Sequence, residues 1–188
     1  MAFHPPPPSA PGAPSAFDQR MQKLSQLAGM HEIRPDWIVR LRALESFDVV
    51  CILDDSGSMG TAVTTPATNP YATRVTRWDE LRTTASTIVE LATAATAQGV
   101  DCVFLNRPAI LGATSAAQVQ LAFNHAPPSG FTPLTRTLKA VLAAKANTER
   151  DLLVIIATDG EPTNEQNRPD VASFIRALSA KGPRVFVQ

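Results

Sequence analysis

Short apolar runs alternate along the chain with segments in which apolar residues recur every three or four positions. The runs 47–53 and 152–156 are almost continuously apolar and rich in branched residues, which is typical of strands buried on both faces of a parallel sheet. The same reasoning predicts strands over 100–105 and 185–187, and a short strand over 109–111. Together these runs predict one sheet.

The segments between the strands have the apolar spacing of amphipathic helices. Helices are predicted over 77–98, 115–123 and 169–181, and another begins with Thr132 as its cap and Pro133 as its first helical residue. The residues predicted to face the core are Trp78, Leu81, Ala85, Ile88, Ala92 and Ala95, then Leu134, Leu138, Val141 and Leu142, then Val171, Phe174, Ile175 and Leu178.

Strands that alternate with helices indicate an α/β fold, with a doubly wound, mostly parallel sheet and helices on both faces, as in Rossmann-like proteins. In such a sheet, ligands bind outside the carboxyl ends of the strands, where the strand order reverses. The residues that directly follow each strand are therefore the first candidates for a functional site.

A helical extension is predicted before the first strand, over residues 17–46. Its second helix opens at Pro35 and has Trp37, Leu41 and Leu44 on one face. This extension lies outside the alternating pattern of strands and helices.

A proline-rich tail precedes that extension. Residues 1–16 contain six prolines and no Asp, Glu, Lys or Arg, which predicts an extended, solvated segment. One interpretation is a disordered tail, and the other is a polyproline ligand for an SH3- or WW-type domain.

Charge and cysteine content narrow the functional classes. The chain has 188 residues, and its 17 Lys+Arg balance its 17 Asp+Glu. A neutral chain has no electrostatic preference for nucleic acid or an anionic membrane, and it contains no run of about 20 apolar residues that would predict a membrane span. Two cysteines cannot form a disulfide framework, and the N-terminus lacks a signal-peptide pattern, so an intracellular, cytoplasmic location is predicted.

Small oxygen-bearing side chains occur in three loops of the predicted fold. Asp54, Ser56 and Ser58 follow the first strand, Asp159 follows the fourth, and Thr132 lies in the loop before a helix. Oxygen ligands without His or Cys favour a hard divalent cation such as Mg²⁺ or Mn²⁺. Each residue alone also has a purely structural interpretation, such as a turn or a helix cap.

These three loops resemble the von Willebrand factor A (vWA) domain and its metal-ion-dependent adhesion site. The family pattern is D-x-S-x-S after the first strand, a Thr in a G-x-T-P-like loop, and T-D-G after the fourth strand. The corresponding stretches here are DDSGS, GFTP and TDG. The resemblance covers residues 47–188, and since a vWA sheet normally continues with a further strand and a closing helix, it implies that this domain is incomplete at its C-terminus.

The resemblance also implies roles for the five residues. Ser56, Ser58 and Thr132 are expected on the metal itself, whereas Asp54 and Asp159 are expected to act largely through bound water. Neutral hydroxyls leave much of the cation's charge uncompensated, so the open coordination position favours an Asp or Glu of a partner protein. The expected function is a non-catalytic, metal-dependent protein-binding module within an intracellular complex.

Two other functions stay open at this point. In a metal-dependent phosphohydrolase, Asp54 would be the nucleophile and Asp55 an acid, but Ser56 stands where an Asp-x-Asp motif has its second Asp, and no glycine-rich phosphate loop is present. The third alternative is a vWA fragment that binds nothing.

Several polar residues near the three loops have less specific predictions. Asp55 is expected either to face solvent or to interact with the 55–76 loop, and Glu161 is expected to be a solvated loop acid. Three arginines at the rim would either attract an acidic partner or simply face solvent. They are Arg74, Arg77 and Arg82.

The cysteines and histidines are not predicted to be functional. Cys51 and Cys102 are predicted to be buried thiols on neighbouring strands. The three histidines, His4, His31 and His125, are scattered and make no pattern typical of nucleophilic catalysis.

Overall fold

The computed structural model describes residues 15–63 and 74–188. Most of the predicted proline-rich tail, residues 1–14, and much of the predicted 55–76 loop lie outside these residues. Five strands form one sheet in the order β3-β2-β1-β4-β5. They are β1 (Phe47–Leu53), β2 (Val100–Phe104), β3 (Ile110–Ala113), β4 (Asp151–Ala157) and β5 (Val185–Val187).

The sheet is mostly parallel, as predicted. Strand β1 lies at its centre and pairs in parallel with both β2 and β4, and β4 pairs in parallel with β5. Only the edge pair β2–β3 is antiparallel. The neighbouring strands β1 and β4, both inside the sheet, come from the two most apolar runs of the chain, because a strand covered on both faces has no side facing water.

Six α-helices are present in the described part of the chain. They are α1 (Ala16–Met30), α2 (Pro35–Leu41), α3 (Arg77–Ala95), α4 (Ala116–His125), α5 (Leu134–Ala144) and α6 (Val171–Ser179). Four of them, α3 to α6, pack on the sheet. Alternate side chains of β1 enter two separate cores. Val49, Cys51 and Leu53 pack with α3 and α4 on one face, whereas Val50 and Ile52 pack with α5 and α6 on the other. Helices on both faces confirm the doubly wound, Rossmann-like fold.

The N-terminal helices pack against α3 instead of the sheet. Leu24 and Ala28 of α1 are buried, and Leu24 contributes to a small apolar cluster with Ala94 and Ala95. Trp37, on the predicted apolar face of α2, is 47% exposed and lies under the guanidinium of Arg40. The apolar contact of this region is made by Ile38, Leu41 and Leu44.

Two helices differ from their predictions, one in the residue at which it ends and the other in the residues that it buries. Helix α3 ends at Ala95 instead of 98, because Thr96 adopts an extended conformation and its hydroxyl accepts a hydrogen bond from Gln98 N. In α6, Val171 and Ile175 are exposed, and Ala177 is the buried residue. Apolar spacing indicates which side of a helix is apolar but not how much of that side another element covers.

The prediction for the two cysteines is confirmed. Cys51 and Cys102 are directly opposite each other on β1 and β2, and both are free and buried. Their mutual hydrogen bond, reinforced by burial, raises the pKa of the Cys51 thiol well above its ordinary value. Cys51 is therefore a neutral core residue. Within the described ranges, no helix combines the length and apolar character needed to cross a bilayer.

Candidate metal centre

The carboxyl ends of β1 and β4 meet at one edge of the sheet. Asp54 N donates to Ala157 O at 3.0 Å, so the parallel pairing continues just beyond β1. From β1 the chain first continues to β2 and β3 on one side of β1. It then forms β4 and β5 on the other side, so the strand order reverses between β1 and β4. The loops that follow β1 and β4 therefore share the place where doubly wound sheets bind ligands.

Asp54 is completely buried in this edge. Its Oδ1 accepts from Ser56 N at 2.8 Å, and its Oδ2 accepts from the Thr158 hydroxyl at 2.5 Å. The Thr158 hydroxyl also accepts from Gly160 N at 3.2 Å. A buried carboxylate needs such partners to offset its desolvation, and here they connect the loop after β1 to the loop after β4.

A chain of hydroxyl contacts continues from Ser56 to Asp159. Ser56 Oγ and Ser58 Oγ are 3.0 Å apart, and Ser58 Oγ donates to Asp159 Oδ1 at 2.8 Å. Neighbouring ligands of an octahedral Mg²⁺, each about 2.05 Å from the ion, are about 2.9 Å apart. The spacing of these oxygens therefore suits two adjacent ligand positions on such an ion.

Thr132 reaches the same edge from a third loop. Its backbone N donates to Thr163 Oγ1 at 3.1 Å, and its O accepts from Thr163 N at 2.8 Å. Its hydroxyl lies next to Gly160, 3.9 Å from the position that a Cβ on that glycine would take. In addition, Gly57 N donates to Gly130 O at 3.2 Å, which ties the Thr132 loop to the serine loop.

The prediction that Thr132 caps the following helix is wrong by one residue. Helix α5 begins at Leu134, and Pro133 occupies the position before it. The backbone of Thr132 pairs with Thr163, across to the segment that follows β4, instead of beginning the helix. The structure thus brings all five predicted residues to one edge of the sheet. Direct hydrogen bonds join Asp54, Ser56, Ser58 and Asp159, and Thr132 reaches the edge through its loop.

The alternative in which Asp55 faces solvent is wrong, and the described partners of its side chain lie outside the 55–76 loop. Asp55 is 1% exposed. Its Oδ2 accepts from Arg107 Nε at 2.7 Å, and its Oδ1 accepts from Asn106 N at 2.8 Å and Asn106 Nδ2 at 3.1 Å. The alternation of adjacent side chains sends Asp55 away from Asp54 and toward the end of β2.

Arg107 and Asn106 hold three segments of chain around the site. Arg107 donates to the carbonyls of Ala122, Ala126 and Pro127, and its guanidinium lies 4.7 Å from the centre of the Trp78 ring. Asn106 Nδ2 also donates to the carbonyl of Phe131, at 2.8 Å. Both residues lie just beyond the end of β2, after Leu105, so the rule that the residues after a strand are candidates for the site also applies to them.

Gly130 allows the Thr132 loop to approach Asn106. Its φ is +97°, and a Cβ at this position would lie 2.6 Å from the side-chain oxygen of Asn106. Both the backbone conformation and the close approach require glycine. Ser129 N completes the connection by donating to Asp55 O at 2.8 Å. The position of Thr132 is therefore set from both sides of β1.

Two of the three rim arginines have acidic partners within the chain. Arg77 forms an ion pair with Asp159 Oδ2, and Arg82 forms one with Asp79 at 3.2 Å. Arg74 is exposed, and so is Glu161, in agreement with its prediction as a solvated acid. Arg77 therefore differs from its prediction as a residue facing solvent or a partner, because it pairs with a carboxylate of the candidate centre itself.

The donor set fits a hard divalent cation and not a soft one. Across residues 15–63 and 74–188, no three His, Cys, Asp or Glu side chains form a metal-binding group. The candidate site instead combines three hydroxyls with two carboxylates, which is a set of neutral and anionic oxygens suited to Mg²⁺ or Mn²⁺. Ser56, Ser58 and Thr132 would hold the ion, and Asp54 and Asp159 would orient the hydroxyls and bound water.

No known family model matches the chain, and no curated protein matches it significantly.

Proposed function

We propose that this protein is a metal-dependent protein-binding module of the vWA type. The observation that carries the proposal is the hydrogen-bonded series Asp54, Ser56, Ser58 and Asp159 at the edge where β1 and β4 end. Thr132 lies beside the same edge. A Mg²⁺ or Mn²⁺ ion bound there would polarise an incoming oxygen ligand and give the surface a local positive charge.

Charge explains why the ligand is expected to be an acid. The three hydroxyls expected on the metal are neutral, and the two carboxylates, Asp54 and Asp159, are expected to act largely through bound water. Asp54 also already accepts hydrogen bonds from Ser56 and Thr158. The cation is therefore undercompensated by the protein, and a carboxylate from a partner supplies the missing negative charge. A protein that presents Asp or Glu is the partner class this site favours.

The environment of Asp55 argues against the alternative of a phosphohydrolase. A phosphohydrolase of the Asp-x-Asp type needs its general acid at the substrate, whereas both oxygens of Asp55 are held by Arg107 and Asn106. Asp54, the required nucleophile, is buried and accepts two short hydrogen bonds. These contacts suit a site that is held in place for binding.

The first test is calorimetric titration with Mg²⁺ in the wild type and in a Ser56→Ala/Ser58→Ala variant. We expect binding in the wild type and a loss of at least about 100-fold in affinity in the variant, because two direct ligands are removed. The matched control is Ser25→Ala/Ser46→Ala, which removes two serine hydroxyls that bind only backbone carbonyls. Equal affinity in all three proteins would contradict the proposal.

The second step, capture of a carboxylate, is tested with a short peptide that carries one Asp and with its Asn counterpart. In NMR titrations with Mg²⁺, the Asp peptide is expected to shift amide signals of the loops around Ser58 and Thr132. The Asn peptide, and the Asp peptide in EDTA, are expected to leave them unchanged. Equal shifts with both peptides would show that a carboxylate is not what the site selects.

A further inference from the structure

Arg77 is the first residue of α3, so its positive charge lies at the amino end of the helix. The amino end of a helix has a partial positive charge, which disfavours a nearby guanidinium. The ion pair with Asp159 Oδ2 offsets this cost. Ser58 Oγ occupies the other oxygen of the same carboxylate, Oδ1. Both oxygens of Asp159 are therefore engaged.

Asp159 is the accessible carboxylate of the proposed centre. The Asp159 side chain is 10% exposed, whereas Asp54 is fully buried. A divalent cation held by Ser56 and Ser58 would lie within a few ångströms of Asp159, because Ser58 already touches it. The cation and the Arg77 guanidinium would then share one carboxylate and repel each other.

The hydrogen bonds that hold the start of α3 do not involve the Arg77 side chain. This side chain is 45% exposed. The backbone N of Arg77 donates separately to Thr61 O at 3.1 Å, and the adjoining Thr76–Asp79 hydrogen bonds hold the start of α3. A rotation of the long side chain toward solvent would therefore release Asp159 while the backbone stays in place.

We propose that Arg77 is an internal competitor of the metal, which neutralises Asp159 in the metal-free protein and is displaced from it when a divalent cation binds. This inference rests on the proposed function. Arg77 then sets the affinity of the site, because each binding event includes the breakage of this ion pair. The ion pair also keeps Asp159 in place beside Ser58 before the metal arrives.

The test is calorimetric titration with Mg²⁺ in the wild type, Arg77→Gln, Arg77→Lys and Arg82→Gln. We expect Arg77→Gln to bind Mg²⁺ roughly tenfold more tightly, because a competing positive charge is gone. Arg77→Lys keeps the charge and is expected to stay near the wild type. Arg82→Gln is the matched control, since Arg82 is 41% exposed on the same helix but pairs with Asp79.

Thermal unfolding gives a second readout that does not depend on calorimetry. In EDTA, Arg77→Gln is expected to be slightly less stable than the wild type, since it has lost the ion pair. On addition of Mg²⁺ its Tm is expected to rise further than that of the wild type, because tighter binding to the folded state stabilises it more.

The outcomes separate this inference from the proposed function. If the wild type binds Mg²⁺ and Arg77→Gln binds it equally or more weakly, Arg77 is not a competitor and the proposed function stands. If neither protein binds Mg²⁺, the metal-dependent function and the role of Arg77 are both wrong. Tighter binding by Arg82→Gln to the same extent would show a general charge effect and would also overturn the inference.

Discussion

Asp54 and Asp55 are adjacent aspartates that the structure uses in different ways. Asp54 lies between the loops that follow β1 and β4, where it accepts from Ser56 and Thr158. Asp55 points to the end of β2 and forms a buried ion pair with Arg107. One residue therefore belongs to the candidate metal centre, and its neighbour holds together the segments that surround that centre.

Replacement of Asp55 by Asn tests this structural role. Asp55→Asn keeps the size of the side chain but leaves the largely buried Arg107 without its countercharge, so we expect a loss of about 3 kcal/mol in the free energy of unfolding. Urea denaturation curves of the variant and the wild type measure this loss in the free energy of unfolding. The control is Asp36→Asn, which breaks an exposed ion pair with Arg34 and is expected to cost less than about 1 kcal/mol. Equal losses would contradict the role given to Asp55.

At the scale of single elements, three helices begin with the same device, a capping box. Ser15 and Asp18 form it in α1, Thr76 and Asp79 form it in α3, and in α4 the third residue after the cap is the neutral Gln118. In α1 and α3 the cap hydroxyl and the later carboxylate satisfy backbone N–H groups that have no partner within the helix. In α4, Gln118 Oε1 accepts from Ser115 N. The box of α3 adjoins Arg77 and so fixes the rim of the candidate site.

The α3 capping box predicts a dependence on pH. The hydrogen bonds from the Thr76 side chain and backbone lower the pKa of Asp79. A lowered pKa in the folded state means that the charged carboxylate stabilises the fold above its ordinary pKa of about 3.9, and that this contribution disappears as the pH falls through the lower, folded-state value.

Asp79→Ala is therefore expected to reduce the free energy of unfolding by about 0.3–1 kcal/mol at pH 7, and by progressively less below about pH 4. Denaturation curves at several pH values measure the difference from the wild type. Gln118→Ala is the control, because the same box in α4 contains no titratable group, and its effect should not change over this range. An Asp79→Ala effect that is equal at pH 3 and pH 7 would exclude a role for the charge.

At the scale of the whole molecule, the N-terminal helices belong to the same packed body as the sheet domain. Leu24 of α1 is fully buried next to Ala94 and Ala95, which lie in the last turn of α3. Arg20 also pairs with Glu45 at 3.3 Å. The opposite face of α3 packs on β1, so α3 joins the extension to the core.

This arrangement predicts that damage to α1 lowers the stability of the entire protein. Leu24→Ala is expected to reduce the free energy of unfolding by about 2–5 kcal/mol, with one cooperative transition by both fluorescence and circular dichroism. Leu121→Ala, at a 71% exposed site on α4, is expected to change it by less than about 0.5 kcal/mol. Two separate transitions would show that the helices fold independently of the sheet.

The α/β fold, the strands β1 and β4 and the three loops of the candidate centre follow from the amino-acid pattern alone. Strands buried on both faces must be apolar throughout, and that requirement is visible in the runs that became β1 and β4. The carboxyl ends of parallel neighbours meet at one edge, so residues just after the strands are brought together. The apolar runs are a local property of the sequence, and the meeting of the strand ends follows from the parallel topology.

The pairing of individual polar side chains depends on long-range packing that the amino-acid pattern does not reveal. Asp55 binds Arg107, which is 52 positions away, and Asp159 binds Arg77, which is 82 positions away. Thr132 pairs its backbone with Thr163 instead of capping α5, and Ile175 stays exposed although its spacing is that of a core residue. Each of these outcomes depends on which distant side chain or surface lies within about 3–4 Å. Periodicity along the chain carries no information about that distance.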